Sequence, residues 1–213
     1  MKHLACLVLA CVVSATGLAD PLPSKVRSGA YVEMIAQRGA ECGLLKEWEA
    51  LSLHALSLQD REGWSDELLE SLKAETARQM AETECDSEML TLWIDASRPG
   101  FEAEMLPPYL VAYRTLAELG VPPHVFAGTA LRLDKAPVIA AIDAKLAELA
   151  ESGRPAEGGK PWPEYIDGTR EAILQFVGQL EGEGGDQAAA WLAQSARIVE
   201  TWYAESHAAQ DGQ

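Results

Sequence analysis

Basic residues are scarce in this chain. Lysine and arginine number 17 against 33 aspartates and glutamates, a formal net charge of −16. Such an anionic surface repels phosphate backbones and acidic headgroups, which argues against nucleic acid and against an anionic membrane as partners. Histidine and cysteine are also sparse, at 4 each, so metal sites have few soft or imidazole ligands to draw on. No apolar run reaches the roughly 18 residues that a membrane-spanning helix needs. Runs that alternate apolar and polar residues with β-branched enrichment are missing, as are hairpin turn dipeptides between such runs. Sheet is therefore not expected.

What is present begins with an address. Met1-Lys2-His3 is a short basic start, Leu4 to Val13 is uncharged and apolar, and Ser14 to Ala19 is small and weakly polar. This three-part pattern is that of a secretory signal peptide, with residues 1–19 removed after Ala19. Cleavage leaves 194 residues, enough for one helical domain over 20–207 and a frayed tail over 208–213. Val8-Leu9-Ala10-Cys11 loosely resembles a lipobox, which would anchor the chain through Cys11. Leucine before the alanine is unusual there, and the apolar run would be very short, so export without an anchor is the expectation. Cys6 and Cys11 leave with the leader. Cys42 and Cys85 remain, an even pair bound for an oxidising compartment, and are expected to form one disulfide. Loop entropy gives that bridge a stabilisation of about 4 kcal/mol at most.

Every periodic segment of the mature chain reads as helix. Ser24 to Arg38 carries Tyr31, Met34 and Ile35 on one side; Gly39 and Gly43 then mark a turn. Leu44, Trp48, Leu51, Ala55 and Leu58 follow the spacing that stacks side chains on one face, widened by Leu45, Leu53 and Leu56. Ser65 is a good N-cap for a helix ending just before Cys85, and Asp86 is expected to cap a short one stopped by Arg98-Pro99-Gly100. Pro107 and Pro108 fit only the first turn of the helix holding Tyr109, Tyr113 and Leu116, and Gly120 is its C-cap. Pro122-Pro123 opens a short segment to about Leu131. Asp134 caps a helix through Leu149, and two more follow, over about 164–180 and 186–207. The glycine- and proline-rich stretch from Ser152 to Pro163 is the one long loop and the place for a soft boundary, but the last two helices could not bury their apolar faces alone and are expected to pack back onto the rest as one domain. The expected architecture is an all-α, single-domain bundle of about eight amphipathic helices, mostly antiparallel.

The search for chemistry is lean. His54 and His124 belong to no H-E-x-x-H pair, and His3 and His207 lie at the ends, so no metal is expected. Met34, Met80, Met89 and Met105 are too dispersed for copper and suit core filling. Glu82, Glu84, Asp86 and Glu88 crowd Cys85, but they lack a calcium-loop pattern and straddle a helix junction. There is no nucleophile elbow. Ser52 sits two residues from His54, on a different side of the helix, and Ser195 is mid-helix. Gly182-Glu183-Gly184-Gly185 lacks the lysine of a phosphate loop. No catalytic residue and no cofactor is assigned, and the chain is not expected to be an enzyme.

Lys160-Pro161-Trp162-Pro163-Glu164-Tyr165 is the most suggestive stretch for binding. A tryptophan stiffened by two prolines has little entropy to lose, and Lys160, Trp162 and Tyr165 form the candidate contact set. The alternative for Trp162 is that it folds back to plug a gap between helices. With no N-x-S/T acceptor and a compact leader, the reading is an exported, periplasmic, bacterial accessory or interaction protein. Its partner, an envelope protein or ligand, and its oligomeric state are left open. The rival is a hydrolase of a cell-wall or small-molecule substrate, which a pocket holding two carboxylates, or His124 beside a carboxylate, would favour.

Overall fold

The computed structural model describes residues 22–59, 61, 63–121, 135–180, 182 and 185–207. Residues 1–21, with Cys6, Cys11 and the expected signal peptide, the segment from Pro122 to Asp134 with His124, and residues 208–213 lie outside them. The described chain is all-α, with no strand. Eight α-helices follow in order: α1 Ser24–Glu41, α2 Glu47–Gln59, α3 Asp66–Glu82, α4 Glu88–Gly100, α5 Pro107–Glu118, α6 Lys135–Glu151, α7 Trp162–Gln179 and α8 Gly185–His207. No described helix is long and apolar enough to cross a membrane.

The helices gather into two compact units. The first holds α1, the end of α2 from Leu53, α3, and α4 as far as Ile94. The second holds residues 46–52 and everything from Asp95 onward. The stretch from Ser152 to Pro163 is no boundary, since both of its sides belong to the second unit. It contains a 3-10 turn, Glu157–Gly159.

In the first unit α1 packs along α3. Val26, Ala30 and Leu72 are buried together, with Leu22, Trp64 and Leu68 against them. The Ser65 hydroxyl accepts from Leu68 N–H at 3.4 Å, the expected cap. At α4 the cap is Ser87, not Asp86: its hydroxyl accepts from Leu90 N–H at 3.4 Å. Leu44 and Leu45 precede α2 rather than opening it, because the chain turns at Gly43 with φ +68°. Leu58 is exposed, while Trp48, Leu53 and Ala55 are buried.

Pro99 does not end α4. The helix runs through it to Gly100 and widens into a π-turn, Phe101–Met105. The cause lies downstream. Pro107 and Pro108 have no N–H for the carbonyls of Ala103 and Glu104, so the last available donor, Leu106 N–H, reaches back five residues to Phe101 O at 2.9 Å. The two prolines then occupy the first turn of α5, as expected. Gly120, at φ +72°, closes that helix, and Val121 N–H returns to Leu116 O at 3.0 Å.

α5 is the spine of the second unit, packing on α6, α7 and α8. Ala112, Leu116, Ile173 and Leu192 form one buried cluster, lined by Phe176, Val177 and Trp191. Phe176 and Trp191 stack, with ring centres 5.2 Å apart.

Candidate functional site

Position 33 is the one acid on the buried side of α1. Val26, Ala30 and Glu33 follow helical spacing, and all three are buried, Glu33 at 4% exposure. A lone carboxylate there would be costly, and it is tied down from α2 and from the turn after it. His54 and Ser57, at i and i+3, lie on one side of α2, and Arg61 follows in the turn after the helix. His54 Nδ1–H donates to both Glu33 oxygens, at 2.9 and 3.0 Å. The Arg61 guanidinium donates to Glu33 and to the Ser57 hydroxyl. Burial pushes the Glu33 carboxyl up, but the His54 hydrogen bond, the charges of His54 and Arg61 and the Ser57 hydroxyl outweigh it and hold it below its ordinary value.

A carboxylate bound to Nδ1 fixes the imidazole ring and its tautomer and leaves Nε2 as the working nitrogen. The His54 side chain is 44% exposed, so that edge is accessible. The arrangement can orient a base toward water or hold a proton on the ring. It places no described nucleophile on Nε2, since the Ser57 hydroxyl is engaged by Arg61. The other serines weighed for catalysis are turned into their own helices. Ser52 donates to Trp48 O and Ser195 to Trp191 O, each at 2.8 Å.

The second unit buries two carboxylates of its own. Glu200 is fully buried on α8 and accepts from the Tyr113 hydroxyl at 3.4 Å. Glu49, 3% exposed, accepts from Lys46 N–H at 2.8 Å and from Arg98 at 3.5 Å. Burial, with the Glu200 charge behind it, pushes the Tyr113 phenol well above its ordinary value.

No known protein family, curated protein or solved structure matches this chain.

The residues singled out from sequence fall in two places. Cys42 and Cys85 are joined, with Cα atoms 5.4 Å apart, linking the end of α1 to the turn before α4. Trp162 is not held out as a loop anchor. It is the first residue of α7, 5% exposed, and its indole N–H donates to Arg154 O at 2.9 Å. Its ring meets Tyr165 edge-on at 5.5 Å, and the pair packs on Leu149 and Ala156. The flanking prolines set where α7 begins, and the indole fills the space beneath the turn. Of the contact set only Lys160 is exposed, 3.8 Å from Glu164 on the next turn. Among the described residues no three metal-ligating side chains gather at one point.

The Glu33 cluster carried a signal that sequence reading passed over. His54 reads there as a zinc ligand or as a partner of Ser52, and neither reading points to Glu33. An acid in a buried register on one helix, with His54 and Ser57 on the next and Arg61 just after it, marks polar groups that meet.

Proposed function

We propose that this chain is an exported accessory or interaction protein of the bacterial cell envelope. The observation that carries the reading is the Cys42–Cys85 disulfide. Bonds of this kind persist in the periplasm and are reduced in the cytosol. The basic-apolar-small leader ahead of Asp20 supports the same compartment. The excess of acids keeps the exported chain soluble and selects basic partners. The test is expression of the full chain behind its own leader, followed by fractionation and non-reducing peptide mapping. Periplasmic protein that begins at Asp20 and carries a linked Cys42–Cys85 peptide is expected. An uncut leader on cytosolic protein with free thiols overturns the reading.

One observation favours a second reading, a hydrolase: the Glu33–His54 pair with Nε2 accessible. Under it His54 is the base that activates water, and Glu33 is the positioning residue behind it. A panel of ester and muropeptide substrates tests it. Turnover that disappears in His54→Ala and falls in Glu33→Gln supports the hydrolase. Turnover unchanged by both substitutions rejects it.

A further inference from the structure

α4 is apolar on two sides. Leu90 and Ile94 face inward and are 2% and 1% exposed. Met89 and Leu92 face outward and are 59% and 58% exposed, the two most exposed large apolar side chains among the described residues. Trp93, half-buried, lies one helical turn from Met89, so the three make a stripe at i, i+3 and i+4. Among the described residues none closes over Met89 and Leu92. A helix needs one apolar face to pack on its own protein; a second such face suits the partner-helix mode of recognition, in which anchors recur at this spacing.

Along the chain the charge flanking the stripe is of one sign. From Gln79 to Ser97 the chain has no lysine or arginine and five acids. Glu84, Asp86 and Glu88 are exposed at the head of α4 and make no ion pair among the described residues. The segment bearing them is fixed in place. Cys85, between Glu84 and Asp86, is bonded to Cys42, and Arg38 donates to Met80 O nearby. A pre-set collar of carboxylates loses little freedom on binding.

We propose that the outward face of α4, with Met89, Leu92 and Trp93 as anchors and Glu84, Asp86 and Glu88 as collar, docks a basic amphipathic helix of a partner protein. The proposal rests on the accessory-protein reading and names the chemistry of the partner. A second copy of this chain is a poor occupant, because a symmetric contact would set the same carboxylates against each other. An anionic membrane is poorer still. A lysine- and leucine-bearing helix satisfies both features at once, its leucines on the stripe and its ammonium groups on the collar.

The test uses the exported, disulfide-bonded protein and a labelled peptide of leucine and lysine, with leucines at helical spacing. A leucine–glutamate peptide of the same pattern is the charge control. Fluorescence anisotropy should show saturable binding of the lysine peptide only. The double substitution Met89→Ser, Leu92→Ser removes exposed side chains and leaves the fold intact by circular dichroism; it should weaken binding about tenfold or more. Glu84→Gln, Asp86→Asn, Glu88→Gln together should weaken it and flatten its salt dependence. Asp167→Asn with Glu171→Gln on α7 should leave it unchanged. Equal binding by the Met89/Leu92 variant overturns the proposal, as does equal weakening by the α7 variant, which would reduce the effect to net charge. Failure of the peptide to bind, or a dimer in sedimentation that the Met89/Leu92 variant dissolves, overturns it as well. An exported, disulfide-linked chain that ignores the peptide defeats the docking site alone. A cytosolic chain with free thiols defeats the export reading and leaves the peptide result to stand by itself.

Discussion

The two units solve the burial of charge in opposite ways. The first ties its buried acids to side-chain donors: Glu33 accepts from His54 and from the Arg61 guanidinium, and Glu75 from the Arg78 guanidinium at 2.8 Å and Gln79 at 2.8 Å. It adds a disulfide. The second has Glu200 accepting from the Tyr113 phenol, and Glu49 accepting from the Lys46 backbone N–H at 2.8 Å and from Arg98 at 3.5 Å. In exchange it holds most of the aromatic rings, Trp48 against Phe101, Trp162 against Tyr165 and Phe176 against Trp191. Ion pairs and a crosslink are directional and depend on pH or redox state. Ring packing is neither, so the two units should fail under different conditions.

The largest effect should come from cutting into the ring packing. Trp162→Ala removes a buried indole and orphans the Arg154 carbonyl, and should cost about 3–5 kcal/mol. Urea unfolding measures it. Hydrogen exchange should show the loss in α6 and α7, with α1 and α3 spared. Unchanged stability would return Trp162 to the role of exposed anchor. Next is the crosslink. Cys42→Ser with Cys85→Ser should destabilise by about 2–4 kcal/mol. Here exchange should rise in α1, α3 and the start of α4 and stay level in α5 and α8. Equal loss in both units would erase the contrast between them.

Glu33→Gln should cost about 1–3 kcal/mol, since it keeps the shape and removes the charge that His54 and Arg61 face. The pH behaviour follows from the same groups. Glu33 and Glu75 titrate below their ordinary 4.5 when folded, so the unfolded chain takes up their protons first as pH falls. Their stabilisation is complete above 4.5 and is lost as pH drops through the folded values, and Glu33→Gln should remove its share of that slope. In the second unit burial raises the Tyr109, Tyr113 and Tyr165 phenols above their ordinary 10.0. The unfolded chain then loses protons that the folded chain keeps, and stability falls as pH climbs past 10.0. Tyr31 is the one described counterpart in the first unit. Residue-resolved NMR should therefore find acid unfolding led by α1 and α3, and alkaline unfolding led by α5 and α7.

The helices were legible because apolar spacing and caps are local signals. Ser65, Pro107 with Pro108, and Gly120 act in the structure as they read in the sequence. The disulfide was legible by elimination, because Cys6 and Cys11 fall in the expected signal peptide and Cys42 and Cys85 are the pair left. Where the reading missed, a distant partner decided. The π-turn depends on prolines several residues beyond the carbonyls they fail to serve. The inward turn of Trp162 is one of the two readings its sequence allows, and Leu149 and Ala156, which no motif ties to it, decide between them. The Glu33 cluster needs two helices to meet, and each stripe alone looks like an ordinary polar residue on a helix. The exposed stripe on α4 escaped for a related reason: Leu90, Met89 and Leu92 look equally buried until the packing shows which side the unit has used.

The smallest effect is also informative, because it separates pairs that differ only in burial. Lys73 and Glu70 lie 2.7 Å apart on α3, and both are about seven-tenths exposed. Glu75, a turn away on the same helix, is 5% exposed in its contact with Arg78. Water screens the first pair and costs it side-chain entropy, so Lys73→Ala should change stability by no more than about 0.5 kcal/mol. Glu75→Gln should cost clearly more, because it removes the charge and replaces one acceptor oxygen with an N–H that faces the Arg78 guanidinium, leaving a single oxygen for Arg78 and Gln79. Parallel urea titrations of the two variants give the ratio. If Lys73→Ala costs as much as Glu75→Gln, exposed pairs hold the first unit as firmly as buried ones, and its stability should then fall steeply with added salt.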